Sequence, residues 1–375
     1  MNRRITSRIL GTGLWLAALA PWALPTAAQA QATTGPAWQR NAVPFFDTVH
    51  ALQGIYSHWA LPRAHDFDRS ARALAPAIGT LCEAQGTDGK AALDAARSAW
   101  LATARAWEQL SAVSVGPVIA RRSQRAIDFT PTRPALIEKA IVAQPQGAKA
   151  FERIGTPAKG LPALEWLLWT RPVQPGSPAC RYTYEVAQDV ARESAALQQA
   201  FADAAATDWG AEDEQEASTQ AMSEFMNQWV GGIERLRWAQ MEKPLRAAGS
   251  GSGTRTPDYP RTASGSTLSA WAATWAGLRS VTTLPAGAAT PPPGEALVPL
   301  EMYLRGKGLN PLADKLRQAT DKVDASMAQV QKAGLKDKGA IQQTAKDLAA
   351  LKFLAESEVA PALQVSIGFS DADGD

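Results

Sequence analysis

Histidine and cysteine are scarce in this chain, at three and two of 375 residues. No His-Glu-x-x-His run occurs, so the helix-borne zinc site of many metallopeptidases is excluded. Two cysteines rule out a dense disulfide scaffold or a cysteine-built zinc module. Alternating apolar and polar runs are also lacking, which argues against half-buried strands. Charge of one sign is not in excess, with 38 basic and 36 acidic side chains. The longest apolar run, from Ile9 to Ala20, covers about a dozen residues, too few to span a bilayer core of ~30 Å as a helix.

That run has another reading. Arg3, Arg4 and Arg8 precede it, Pro21 interrupts it, and Ala28-Gln29-Ala30 closes it with the small-x-small pattern of a signal-peptidase site. Residues 1–30 therefore read as an export signal cleaved near Ala30, which places the mature chain in the periplasm. Without the three leader arginines, 35 basic residues face 36 acidic ones, a net charge of about −1. No nucleic-acid partner is expected from such a balance. In an oxidising compartment Cys82 and Cys180 read as one disulfide, with two buried free thiols as the alternative.

What is abundant is alanine in helical periodicity, with thirteen tryptophans. The spacing predicts an all-α chain with helices near 40–60, 64–85, 88–113, 133–144, 160–171, 178–206, 214–245, 267–280, 295–306, 310–333 and 337–361. In the third of these, Trp100, Ala104 and Trp107 recur on one face while Arg97, Arg105 and Glu108 can turn to water. A Gly/Ser/Thr/Pro-rich stretch at 247–266 reads as a flexible loop. It divides residues 31–375 into an N-terminal half, about 38–246, and a C-terminal half, about 267–375. A second Ala/Pro-rich loop covers 284–294. Two echoes recur in the same order: 98–103 (SAWLAT) with 269–274 (SAWAAT), and 161–165 (LPALE) with 297–301 (LVPLE). Together they suggest a duplicated helical bundle.

The segment 155–169 (GTPAKGLPALEWLLW) is the most distinctive. Pro162 falls in the first turn of a helix, where a missing N–H costs nothing. Glu165 follows among apolar neighbours. A carboxylate there caps backbone, pairs with an arginine, or faces a site.

Gly160-x-Pro162-x-x-Glu165 followed by Trp-Leu-Leu-Trp resembles the Gly-x-His-x-x-Glu segment of imelysin-like proteins. Three further stretches are similar to family segments: Arg121 to Arg133 with Phe129 and Pro131, Cys180-Arg181-Tyr182, and a C-terminus combining 358–363 (EVAPAL), 367–370 (IGFS) and 373–375 (DGD). The resemblance implies a two-bundle helical fold with a pseudo-twofold axis, a place in the cell envelope, and a link to iron acquisition. Some members are classed as metallopeptidases, with the motif His and Glu as proposed ligands. Here the His position is Pro162, which has no side-chain donor atom, so a metal site and peptidase activity of the family type are put in doubt.

The histidines His50, His58 and His65 fall in one short stretch with Asp66 and Asp68. They read either as solvated or stacked side chains or as a weak surface metal site. Pro62 is expected to break the helix between His58 and His65. The arginines Arg121, Arg122, Arg125 and Arg133 are a stronger lead. Guanidinium forks bind carboxylate or phosphate with two parallel bonds, and metal chelates carry such groups. The same arginines could instead clamp Glu165 or Asp128. Glu301, the echo of Glu165, becomes its symmetry mate across a central crevice if the duplication is real.

The expected function is therefore binding of iron or a metal chelate, with Glu165, Arg121, Arg125, Arg133 and Glu301 lining that crevice and no catalytic residue assigned. No cofactor is identifiable from the residues; iron enters through the resemblance alone. The alternatives are a metallopeptidase of the imelysin type and a cell-envelope protein that docks another protein.

Overall fold

A computed structural model describes residues 43–86, 88–249 and 255–368. The expected signal peptide and the C-terminal residues 369–375 lie outside the described residues. Those described are helical throughout, without a strand. None of their helices is long and apolar enough to cross a membrane.

The N-terminal layer is built on three long helices, Leu61–Glu83, Asp88–Ser111 and Pro178–Ala205. The last shows how sequence makes helix here. Pro178 occupies the first turn, and Ser177 Oγ accepts the Cys180 N–H at 3.1 Å, satisfying one of the donors a helix start leaves open. Thr183, Val186, Ala187, Val190, Ser194, Leu197 and Phe201 then bury one stripe. That stripe packs against helix 61–83. The two run antiparallel: Cys82 is bonded to Cys180 at one end, and Ser194 Oγ donates to Asp68 at 3.1 Å towards the other. The disulfide expected from the cysteine count is thus present.

The C-terminal part centres on a hairpin of Asn310–Ala333 and Lys338–Leu354, with helix Thr267–Thr282 packed against the first of these. Helix 267–282 also packs on helix 88–111. Glycine makes that close approach possible. A Cβ on Gly277 would lie 2.6 Å from the Ala112 Cβ, and one on Gly232, in helix Gln215–Glu234, 2.1 Å from the Ala112 carbonyl oxygen.

Four wide π-helical segments interrupt the α-helices: Gly54–Ala60, Trp166–Thr170, Arg235–Glu242 and Ala355–Val359. Each ends two residues before a proline: Pro62, Pro172, Pro244 and Pro361. In every case the residue just before the proline donates its N–H five residues back. The wider turn accommodates the ring that would otherwise press on the carbonyl four residues earlier. Pro62 therefore does not break its helix, contrary to expectation. The chain runs from Thr48 through the π segment into Leu61–Glu83 without a stop. Likewise the helix expected from 295 begins only at Leu300, after Pro299.

Candidate functional site

The motif helix Gly160–Glu165 starts where the chain has no room for a side chain. Gly160 has φ +78°, and a Cβ there would lie 2.3 Å from the Ile127 carbonyl oxygen. Only glycine tolerates both. This contact sets the motif helix against the end of helix Ser123–Ile127, and so beside Asp128. Trp100 fixes it from the other side by donating its indole N–H to the Leu161 carbonyl at 3.0 Å. Beyond Glu165 the π segment frees the Leu168 carbonyl, which accepts Arg97 Nε and Nη2 at 2.9 and 2.8 Å.

Glu165 is buried, and its Oε1 accepts both the N–H and the hydroxyl of Ser264, at 2.8 and 2.7 Å. No protein group donates to its Oε2. Ser264 belongs to the 255–266 segment, which also carries Arg261. This residue sits in the left-handed region at φ +65° and is 5% exposed. Its Nε and Nη2 hold Glu108 Oε1 at 3.2 and 3.0 Å, and Nη2 lies 2.8 Å from both oxygens of Asp128. The guanidinium also lies over the Trp100 ring, 5.5 Å from its centre. Glu108 Oε2 accepts the Thr274 hydroxyl at 3.2 Å. Arg235 reaches the same region and donates to the Ser111 carbonyl at 2.7 Å.

Three carboxylates thus surround one guanidinium, with a second arginine behind. Burial pushes the Glu108 carboxyl well above the usual range, and Arg261 pulls it back only in part. Burial works against the charge on Arg261, but Asp128, Glu108 and Glu165 outweigh it and hold the guanidinium protonated. Arg235 is drawn down by burial. Such a cluster specifies one arrangement more than it adds net stability, and removing one member leaves a buried charge exposed to its full desolvation cost.

The other residues singled out from sequence are dispersed. Arg121 forks onto Glu193 with Nε and Nη2 at 3.1 and 2.8 Å, and Ser123 Oγ donates to the same carboxylate at 2.7 Å. Arg125 is exposed and stacks over Phe129 at 5.8 Å. Arg133 is exposed and makes no ion pair. Glu301, 2% exposed, is held by Arg305 at 2.9 Å, by Arg317, and by the Leu284 N–H at 3.3 Å. Glu165 and Glu301 share no partner. His50 closes a capping box with Asp47, and His58 and His65 are exposed. Among the described residues no three His, Cys, Asp or Glu side chains are grouped to hold a metal ion.

Sequence reasoning missed Arg261, Ser264 and Arg235. The segment read as part of a flexible loop is packed over its described length, 255–266: Tyr259 and Arg261 are buried, and Thr267 Oγ1 donates to the Pro260 carbonyl at 2.7 Å. Tyr259-Pro260, an aromatic followed by a rigid residue inside a Gly/Ser tract, was the local hint.

The family model described as imelysin matches residues 60–358. The chain belongs to the imelysin family. Two solved structures share the imelysin fold with it. An imelysin-like protein from Psychrobacter arcticum 273-4 matches with a TM-score of 0.68 and 21% identity, over 88% of this chain and all (100%) of that one. A protein described as a candidate iron-regulated protein A precursor, from Parabacteroides distasonis ATCC 8503, matches with a TM-score of 0.66 and 18% identity, over 84% and 95% of the two chains. No curated protein matches the chain. Within this chain the motif reads Gly160-x-Pro162-x-x-Glu165, and the cluster around Arg261 is built onto that helix.

Proposed function

We propose that this chain binds an iron chelate, or a chelate of a similar metal, in the cell envelope after export on residues 1–30, and that it acts by recognition rather than bond-breaking. One observation carries the reading: Glu165, at the end of the motif helix, uses one carboxylate oxygen on Ser264, while no protein group donates to the other. A buried carboxylate with an unused oxygen is suited to a cationic centre. Pro162 offers no donor, and the acids nearby are spread around Arg261 instead of converging on one ion. A metal that arrives already chelated needs only one or two protein ligands. The anionic arms of its chelator suit a guanidinium, and Arg125, one turn from Asp128 and without an ion pair, is the residue assigned to them. The iron-regulated description of the Parabacteroides neighbour supports iron as the metal class.

Ferric citrate titrated into the mature protein, followed by tryptophan fluorescence, tests this, since Trp100 lies under Arg261. Glu165→Ala is expected to weaken binding about tenfold, the ~1.4 kcal/mol of one lost ligand contact, with Tm moving by only a few degrees. Unchanged affinity in the variant, or no saturable binding by the wild type, sinks the proposal. Chelator-sensitive cleavage of a protein substrate would instead favour the peptidase alternative.

A further inference from the structure

Residues 117–153 carry seven basic and three acidic side chains in a chain that is otherwise balanced. The short helices of this segment, Pro117–Ala120, Ser123–Ile127, Pro134–Ala143 and Gly147–Phe151, all pack along helix 178–205. The acids they meet are engaged. Asp128 faces Arg261, Glu138 holds Arg171 at 2.6 Å, Glu193 holds Arg121, and Glu185 accepts the Gly147 N–H at 3.0 Å. Most of the bases are not engaged. Arg122, Arg133, Lys139, Lys149 and Arg153 are exposed and have neither an ion pair nor a side-chain hydrogen bond, and only exposed Glu152 offsets them.

Helix 134–143 adds a second anomaly. Ile137, Ala140 and Ile141 form its inner face. Its outer face should be polar, yet it consists of Ala135, Leu136, Lys139, Val142 and Ala143. Val142 is 83% exposed and Leu136 40%, and Ile119 on helix 117–120 is 41% exposed. An exposed apolar patch set among unpaired cations marks an interaction surface, and the cations suit an anionic one.

We propose that this face docks on an anionic phospholipid bilayer, with Arg122, Arg133 and Lys139 at the headgroup phosphates and Leu136 and Val142 entering the boundary between headgroups and chains. Charge complementarity selects the occupant: unpaired cations of one sign attract a surface of diffuse negative charge. A protein partner is the weaker fit, because the outer stripe of helix 134–143 offers no tryptophan, tyrosine or other aromatic anchor of the kind that dominates protein interfaces.

The test is co-sedimentation of the mature chain with vesicles of phosphatidylglycerol and phosphatidylcholine, against phosphatidylcholine alone. Binding to the anionic vesicles only, weakened at least tenfold by Leu136→Asp with Val142→Asp and by Arg133→Glu with Lys139→Glu, is the expected result. Both double variants change exposed side chains, and unchanged Tm confirms that they fold. Absence of binding, equal binding to neutral vesicles, or full binding by both variants overturns the proposal. So does a photo-crosslinker at position 142 that captures an acidic protein while vesicles are ignored. None of these outcomes bears on chelate binding at Glu165.

Discussion

Glu108 lies where burial and an ion pair oppose each other, and this gives the cluster a pH signature. Burial is the larger influence and raises its carboxyl above the ordinary carboxylate range, while Arg261 pulls it down in part. The folded protein therefore takes up this proton more readily than the unfolded chain does. Its contribution to stability is fully present below the unfolded pKa, ordinarily about 4.3, and is lost as pH rises through the elevated folded value. Glu108→Gln keeps an acceptor for Arg261 but removes the titration. Denaturant unfolding at pH 7 and pH 5 should show the wild type gaining stability relative to Glu108→Gln at the lower pH. A difference that stays constant, or grows in the other direction, would show that Arg261 fully compensates the burial. Gly160 is the residue whose role could be read in part from sequence. It stood at the head of the Gly-x-Pro-x-x-Glu motif, but the need for glycine comes from the Ile127 carbonyl, which no local pattern reveals.

At the scale of elements, the prolines changed meaning on folding. Pro62 read as a breaker because a proline in a regular helix clashes with the carbonyl four residues back. The π segment before it supplies the space, and the same holds before Pro244 and Pro361. Replacing Pro244 with alanine should shift stability by no more than about 1 kcal/mol, since no strain is relieved. Ala187→Pro, in the regular and buried middle of helix 178–205, should cost about 3 kcal/mol or more. Equal costs in thermal unfolding would contradict the role given to the wide turns. Helices 88–111, 178–205 and 310–333 were legible to within two residues, because amphipathic periodicity is a local signal. The 255–266 segment was not. Its order depends on Glu108, Asp128 and Glu165, which lie far away in the chain, so low complexity was a misleading guide there.

For the whole molecule, the disulfide closes a loop with a sequence separation of 98. In the chain-entropy model a loop of that size stabilises by ~4–5 kcal/mol. Cys82→Ala with Cys180→Ala should lower the unfolding free energy by about that amount, read from denaturant melts under non-reducing conditions. A loss well under 1 kcal/mol would mean that the helix 61–83 contact with helix 178–205 already restricts the unfolded chain. The all-helical class and the family were legible in the sequence, the latter from motifs spread over the chain. The proposed duplication is less evenly expressed in the residues that suggested it. Trp100 donates to Leu161, whereas its echo Trp271 packs edge-on against Tyr259 with its indole N–H unpaired. Glu165 is bound by a serine and Glu301 by two arginines. The echoed residues thus give their polar groups different partners.

The covalent ring from Cys82 to Cys180 encloses Glu108, Asp128 and Glu165, while Arg235, Arg261 and Ser264 all lie outside it. The cluster is therefore assembled from two topologically distinct parts, a macrocycle that holds every acid and an open strand that brings both guanidinium groups. Oxidation alone cannot complete it. Three acids gathered in the ring lack a countercharge from within the cluster until the later-synthesised chain lies down on it, so completing the core and joining the two parts of the polypeptide are one event.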